Sequence, residues 1–324
     1  MSPTIETAKR WHDEPMSELT TWLAAACRRA PIGGVITCQA PDPDLFPGAY
    51  TGERLDHGGR TLRHRSLRAW LDLAESHNCR LLTPRPLDDG NPDDRDFVQF
   101  RFQVLNPLAS WHRNAPSGTE KYGADSHFAR IDKFEEPEFL QAYGRALDHC
   151  LPKRGGRVLN LGINRGDEWQ PLLERESPDQ ASRWTLVGVD HSATAIAACR
   201  QRFGDSRFQF HCHDINDLAA LDLGRFDLIV SIGTLHSPSI SGHRILERLV
   251  KEHLHPKGAL IVGFPNCRYH DGECKLGTVP KGASEPEMSP LLKEVFFYRR
   301  YLQQHRFQVH ISGKYYWLLY ARRG

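Results

Sequence analysis

GGRVLNLGINRGDEW, residues Gly155–Trp169, leads an apolar strand (Arg157–Leu161) into a turn and then toward a helix. Gly162, Asn164 and Gly166 lie where the chain must reverse, and glycine and asparagine are the residues that best tolerate left-handed backbone. Small residues also let a backbone pass close to a ligand. The N–H groups of such a turn and the positive end of the following helix favour a carboxylate or another polar ligand part.

Downstream, short apolar strands alternate with helical patterns, which predicts an α/β fold with a mainly parallel sheet. The strands expected are Arg157–Leu161, Thr185–Asp190, Arg207–Cys212, Phe226–Ile232 and Ala259–Phe264. Ser192 is placed to cap the helix ATAIAACRQRF, and Pro137 to start the helix before the first strand. The chain closes with a helix through LLKEVFFYRRYLQQH, then FQVHIS, a Gly313 turn and KYYWLLYAR. Strands joined so tightly must be antiparallel. Asp190 falls at the tip of the second strand, about 25 residues past the glycine turn, close to the spacing of about 20 for a ribose-binding acid. Asp214, in HCHDIND after the third strand, can accept from an exocyclic amine. Polar groups at successive strand tips define one crevice along the carboxyl edge of the sheet.

These motifs, in this order, resemble the class I S-adenosylmethionine-dependent methyltransferase family from roughly Tyr122 to the C-terminus. The resemblance implies a Rossmann-like, mainly parallel seven-stranded sheet with a C-terminal antiparallel hairpin, and S-adenosyl-L-methionine as cofactor. By resemblance, Asn160, Gly162, Asn164 and Gly166 hold the methionine part. Asp190 takes the ribose hydroxyls with His191 beside it, and Asp214 with Ile215 takes the adenine edge. FDLIVSIGTLHS corresponds to the fourth-strand motif, with Ser231, Gly233 and His236 lining the pocket, and HPKGALIVGF to the fifth. The family usually has an acid where Asn160 stands and a glycine where Asn164 stands. His236 is the candidate base for an oxygen or nitrogen acceptor. A nicotinamide-binding fingerprint would need glycines at positions occupied by Asn164 and Asp167, and it leaves the closing hairpin unexplained.

After the fifth strand, PNCRYHDGEC offers Asn266, Arg268, Tyr269 and His270 for acceptor recognition. Cys267, His270 and Cys274 lack the paired spacing of a zinc site, so no metal is expected. The first 115 residues read as an N-terminal accessory domain and linker, and 116–324 as the methyltransferase domain. Within the accessory part, Leu19, Trp22, Leu23 and Ala26 mark one amphipathic helix, and Leu67, Trp70, Leu71 and Ala74 another. The order there is helix, strand, long loop, helix and two strands (CRLLTPRPL and FVQFRFQVL). It echoes the order from His243 to Arg322 and suggests a degenerate half-repeat of the same sheet.

The basic run RTLRHRSLR (Arg60–Arg68) admits an RNA-binding reading, or simply the wet face of a helix balanced by the acidic turn DDGNPDDRD. Lys and Arg number 42 against 40 Asp and Glu, so no bulk charge drives the chain to nucleic acid or membrane. No secretory lead opens the sequence, and its apolar runs are too short to span a bilayer. Eight cysteines without a CxxC pair read as reduced thiols of a cytoplasmic protein. The function expected is methyl transfer to a small or medium organic acceptor. RNA, tRNA included, and a silent cofactor-binding or partner-binding subunit are the alternatives.

Overall fold

The computed structural model describes residues 4–87, 94–110, 118–175, 183–280, 282–283 and 285–324. It divides into two compact units, Met1–Ser110 with Tyr269–Lys275, and Trp111–Arg268 with Leu276–Gly324. Residues 111–117 of the expected linker and 88–93 of the acidic turn lie outside the described residues.

The first unit contains β1 (Thr4–Arg10), α1 (Met16–Arg29), β2 (Val35–Pro41), β3 (Arg54–His57), β4 (Arg60–Arg63), α2 (Leu67–Ser76), β5 (Cys79–Pro86) and β6 (Phe97–Val104). Its sheet order is β1-β2-β6-β5, with β1 parallel to β2 and the other pairs antiparallel. The apolar stripes of both helices bury against the sheet. Leu19, Leu23, Ala26, Trp70, Leu73 and Ala74 pack on Ile36, Phe100 and Phe102, and the Trp70 ring stacks on Phe100 at 4.0 Å.

The basic run is not a helix face. Arg60–Arg63 form β4, paired with β3. Arg63 bridges to Asp13 at 3.1 Å, Arg68 pairs with Asp72, and Arg65 is buried with its guanidinium on the Glu14 carbonyl. These commitments scatter the cations instead of presenting them as one surface.

The second unit contains α3 (Pro137–Cys150), β7 (Gly156–Leu161), α4 (Gln170–Leu173), β8 (Trp184–Asp190), α5 (Ala193–Arg202), β9 (Phe208–Cys212), β10 (Phe226–Ile232), α6 (Gly242–Arg248), β11 (Leu254–Pro265), α7 (Ser289–Gln304), β14 (Phe307–Ser312) and β15 (Tyr316–Arg323). A hairpin of β12 (Cys267–His270) and β13 (Glu273–Leu276) follows β11. The seven-stranded order is β14-β15-β11-β10-β7-β8-β9. β7 to β11 run parallel, and β15 is antiparallel to both of its neighbours. This is the mainly parallel α/β sheet with an antiparallel C-terminal hairpin. Leu159, Leu161, Val187 and Val189 face the layer of α6 and α7. Val158, Leu186, Leu228 and Val230 face the layer of α3 and α5. Burial on both faces explains why the strands are near-continuous apolar runs.

Part of this order recurs in the first unit. β1-β2-β6-β5 and β10-β11-β15-β14 share the same pairing senses. A helix joins the first two strands of each set, and a small hairpin then precedes the second helix. The β12–β13 hairpin turns at Asp271 and Gly272, both with positive φ (51° and 85°), as a tight Asp-Gly turn requires. Tyr269–Lys275 belong to the first unit, where Asn78 Oδ1 lies 2.8 Å from His270 Nδ1 and accepts from Lys275 Nζ at 2.9 Å.

Candidate functional site

Strand order reverses at β7: β8 and β9 lie on one side, β10 and β11 on the other. Loops leaving the carboxyl ends of β7 and β10 diverge there and open a crevice, where open α/β sheets bind ligands. Because side chains alternate along a strand, Asn160 shares the face of Val158 and enters the α3–α5 layer fully buried. Its Nδ2 donates to Glu168 Oε2 at 3.3 Å, and its Oδ1 has no partner.

The turn beyond Asn160 has the expected backbone: φ is 74° at Gly162, 47° at Asn164 and 79° at Gly166. The space beside its glycines is filled by the protein itself. A Cβ on Gly162 would lie 2.1 Å from Thr234 Oγ1, and one on Gly166 2.6 Å from the Phe203 ring. Several of its donors are also committed. The N–H groups of Gly162 and Ile163 go to the Val189 carbonyl, that of Gly166 to Ile163, and that of Asn164 to Asp190 Oδ2. Four N–H groups of the turn are thus spent inside the protein.

Asp190, at the end of β8, is 7% exposed. Its Oδ2 accepts from Asn164 N and its Oδ1 from Ser192 N, both at 2.9 Å. Two backbone donors fix the carboxylate and leave lone pairs over, since a carboxylate offers about four acceptor sites. His191, 39% exposed, sits 4.0 Å from Asp190 Oδ1. Ser192 caps α5 by accepting from Ala195 N at 3.1 Å. Glu120 reaches the same helix end, accepting from Ala193 N at 3.0 Å and Ser192 Oγ at 2.8 Å and pairing with Thr194 Oγ1. These bonds hold the Glu120 carboxyl below the usual range, the Thr194 bond foremost.

Asp214 is exposed after β9, and its Oδ1 accepts from Asn216 N at 2.8 Å, while Ile215 packs into the core. Ser231 is buried in β10 and donates to the Leu161 carbonyl at 3.3 Å. Gly233 follows with φ 71°. His236, beyond the strand, is largely buried, with Nδ1 unpartnered. Burial pushes its pKa down to about 4.

The four acceptor-recognition candidates lie just past β11 and along β12. Asn266 is buried and holds the β14–β15 turn through the Tyr315 and Lys314 carbonyls (2.8 and 3.0 Å). Arg268 pairs with the carbonyls of Leu276 and Gly277. Tyr269 and His270 belong to the first unit. Among the described residues no group of three His, Cys, Asp or Glu is placed to hold a metal.

Sequence reading missed Glu168, Glu120, Thr234 and Tyr122, whose carbonyl accepts from Asn164 Nδ2 at 2.6 Å. Glu168 lay inside the deciding stretch, and its nearness to an atypical Asn160 was an available signal. Nothing local marked Glu120, whose partners are more than 70 residues away.

Comparison with known proteins adds a family. Residues 158–258 match the family model of a methyltransferase domain. No curated protein matches the chain. Among solved structures, an S-adenosylmethionine-dependent methyltransferase from Aquifex aeolicus is 16% identical, with 64% of this chain and 100% of that one covered and a TM-score of 0.45. The 1,6-didemethyltoxoflavin-N1-methyltransferase of Burkholderia thailandensis is 21% identical, covering 75% and 99%, with a TM-score of 0.42. The family-model match runs from β7 into β11 and spans the glycine turn and both acids. With the seven-stranded order, it marks a methyltransferase domain over residues 158–258 of this chain.

Proposed function

We propose that the second unit transfers a methyl group to a small or medium organic acceptor. One observation carries this reading: His236, just beyond β10, is largely buried, uncharged at neutral pH and has a buried, unpaired Nδ1. A neutral imidazole in that position recognises an uncharged N–H or O–H, which suits an organic acceptor better than a polyanion. The pairing of Arg63 with Asp13 and of Arg68 with Asp72, and the burial of Arg65, weigh against an RNA acceptor.

S-adenosylmethionine supplies an activated methyl on a sulfonium sulfur, so the protein's task is mainly positioning. The residues present fit it. Asp190 keeps lone pairs for the ribose hydroxyls, Asp214 has an oxygen for the adenine amine beside apolar Ile215, and Asn160 Oδ1 is a buried acceptor awaiting a donor. His236 hydrogen-bonds the acceptor and aims its lone pair at the methyl. With a pKa near 4 it is too weak a base to hold a proton at pH 7, and orientation is its contribution.

We propose also that the first unit is a partial second copy of the methyltransferase sheet. The shared order of β1-β2-β6-β5 and β10-β11-β15-β14 supports this. Among its described residues it has no counterparts of β7, β8 and β9, the strands that lead into the glycine turn and the acids.

Incubation with methyl-labelled S-adenosylmethionine and fractionated cell extract tests the proposed function. Label in a small-molecule fraction is expected. Label confined to RNA, or to no fraction at all, would refute it.

A further inference from the structure

The carboxyl end of β7 sets a buried, unspent acceptor beside a carboxyl group. Asn160 Oδ1 is buried without a partner. Glu168, held against Asn160 Nδ2, faces no cationic side chain in an ion pair among the described residues. The adjacent Asp167 differs, since it is bridged by Arg165 at 3.2 Å and by Arg202. Four donors of the turn are taken, since the N–H groups of residues 162, 163, 164 and 166 bond within the protein, and Glu120 caps α5. A pocket so arranged selects a cation.

We propose that Asn160 and Glu168 together bind the α-ammonium group of the cofactor's methionine part, with Glu168 providing the negative charge. The assignment rests on the cofactor reading of the crevice and adds to it a residue and a protonation state. Burial above all, with neighbouring Asp167 and Asp190 adding to it, raises the Glu168 carboxyl to about 8, against the hydrogen bonds from its own backbone N–H and from Asn160. Other groups around it are the Tyr143 hydroxyl, which donates to the Glu168 carbonyl at 3.0 Å, the Cys199 thiol, and Arg175 beyond Tyr143. Glu168 therefore holds its proton at pH 7 until a cation arrives. When the ammonium docks, the carboxyl O–H bond breaks, the proton passes to solvent, and the carboxylate keeps the electron pair and faces the ammonium. One proton is released for each ligand bound. A ligand without the amino acid part releases none.

Calorimetry on the full chain reads this directly, with S-adenosylhomocysteine and 5′-methylthioadenosine as probes in buffers of different ionisation enthalpy. For the unaltered chain at pH 7, S-adenosylhomocysteine should release close to one proton and 5′-methylthioadenosine none. Glu168→Gln should abolish that release and weaken S-adenosylhomocysteine at least tenfold, leaving 5′-methylthioadenosine unchanged. The proton count on the unaltered chain needs no variant to fold. S-adenosylhomocysteine binding with no proton released overturns the proposal while the cofactor reading stands. The same follows if the variant keeps its affinity, or loses affinity for both probes equally. Failure of both probes to bind the unaltered chain overturns the cofactor reading and this inference with it.

Discussion

Glu168 illustrates how one residue couples stability to site chemistry. Its carboxyl is raised from 4.5 to about 8 in the folded chain. Between those values the native state holds a proton that the unfolded chain has lost, so this group makes stability fall as pH rises through the window and level off above it. Glu168→Gln removes the dependence. The melting temperature of the variant relative to the unaltered chain should climb from pH 5 to pH 8, read by thermal denaturation without ligand. A constant difference would mean that Glu168 titrates normally. His236 shifts the other way, from 6.5 to about 4 by burial. Initial rates should show no acid limb from it between pH 5 and 7, and His236→Phe should cost about 10²-fold in kcat. A limb near pH 6.5 removed by that substitution would contradict the account. Asp190, Asp214 and the glycine turn were legible because strand tips and turn chemistry are local patterns. The Asn160–Glu168 pair was not, because the consequence of burying two polar side chains together depends on packing that spacing alone does not specify.

Elements were legible where burial wrote them plainly. β7, β8, β10 and β11 are apolar runs covered on both faces. β1, β3 and β4 escaped notice, since TIETAKR, RLDH and RTLR mix charged with apolar residues and offer no continuous apolar run. Asp271-Gly272 was a readable hairpin signal. What spacing could not reveal was that the hairpin folds into the first unit. The glycine turn makes a prediction of its own. Gly162→Ala places a methyl 2.1 Å from Thr234 Oγ1 at a φ of 74°. The cost should exceed about 1 kcal/mol. Adding Thr234→Ala should recover the steric part and leave the backbone strain, as urea denaturation of the three variants would measure. Equal stability of the single and double variants would show that Thr234 does not set the requirement. In the first unit, Trp70→Ala removes a fully buried ring stacked on Phe100 and should destabilise by about 3–5 kcal/mol.

At the scale of the whole molecule, one crevice lies where strand order reverses, and a second set of four strands repeats the other half of that order. The shared order was visible in the sequence as a succession of elements. Its pairing senses were not, because parallel and antiparallel neighbours are set by tertiary contacts. A partial copy without a glycine turn or strand-tip acids should bind no cofactor of its own, so the chain should take up a single equivalent. On the proposed cofactor reading, Asp190 should be the residue on which that equivalent most depends. Isothermal titration of the full chain with S-adenosylhomocysteine, repeated on Asp190→Ala after a melt confirms its fold, reads both points together. The account predicts one site per chain and at least a tenfold loss of affinity in the variant. No heat with the unaltered chain, two equivalents bound, or an affinity untouched by Asp190→Ala would contradict it.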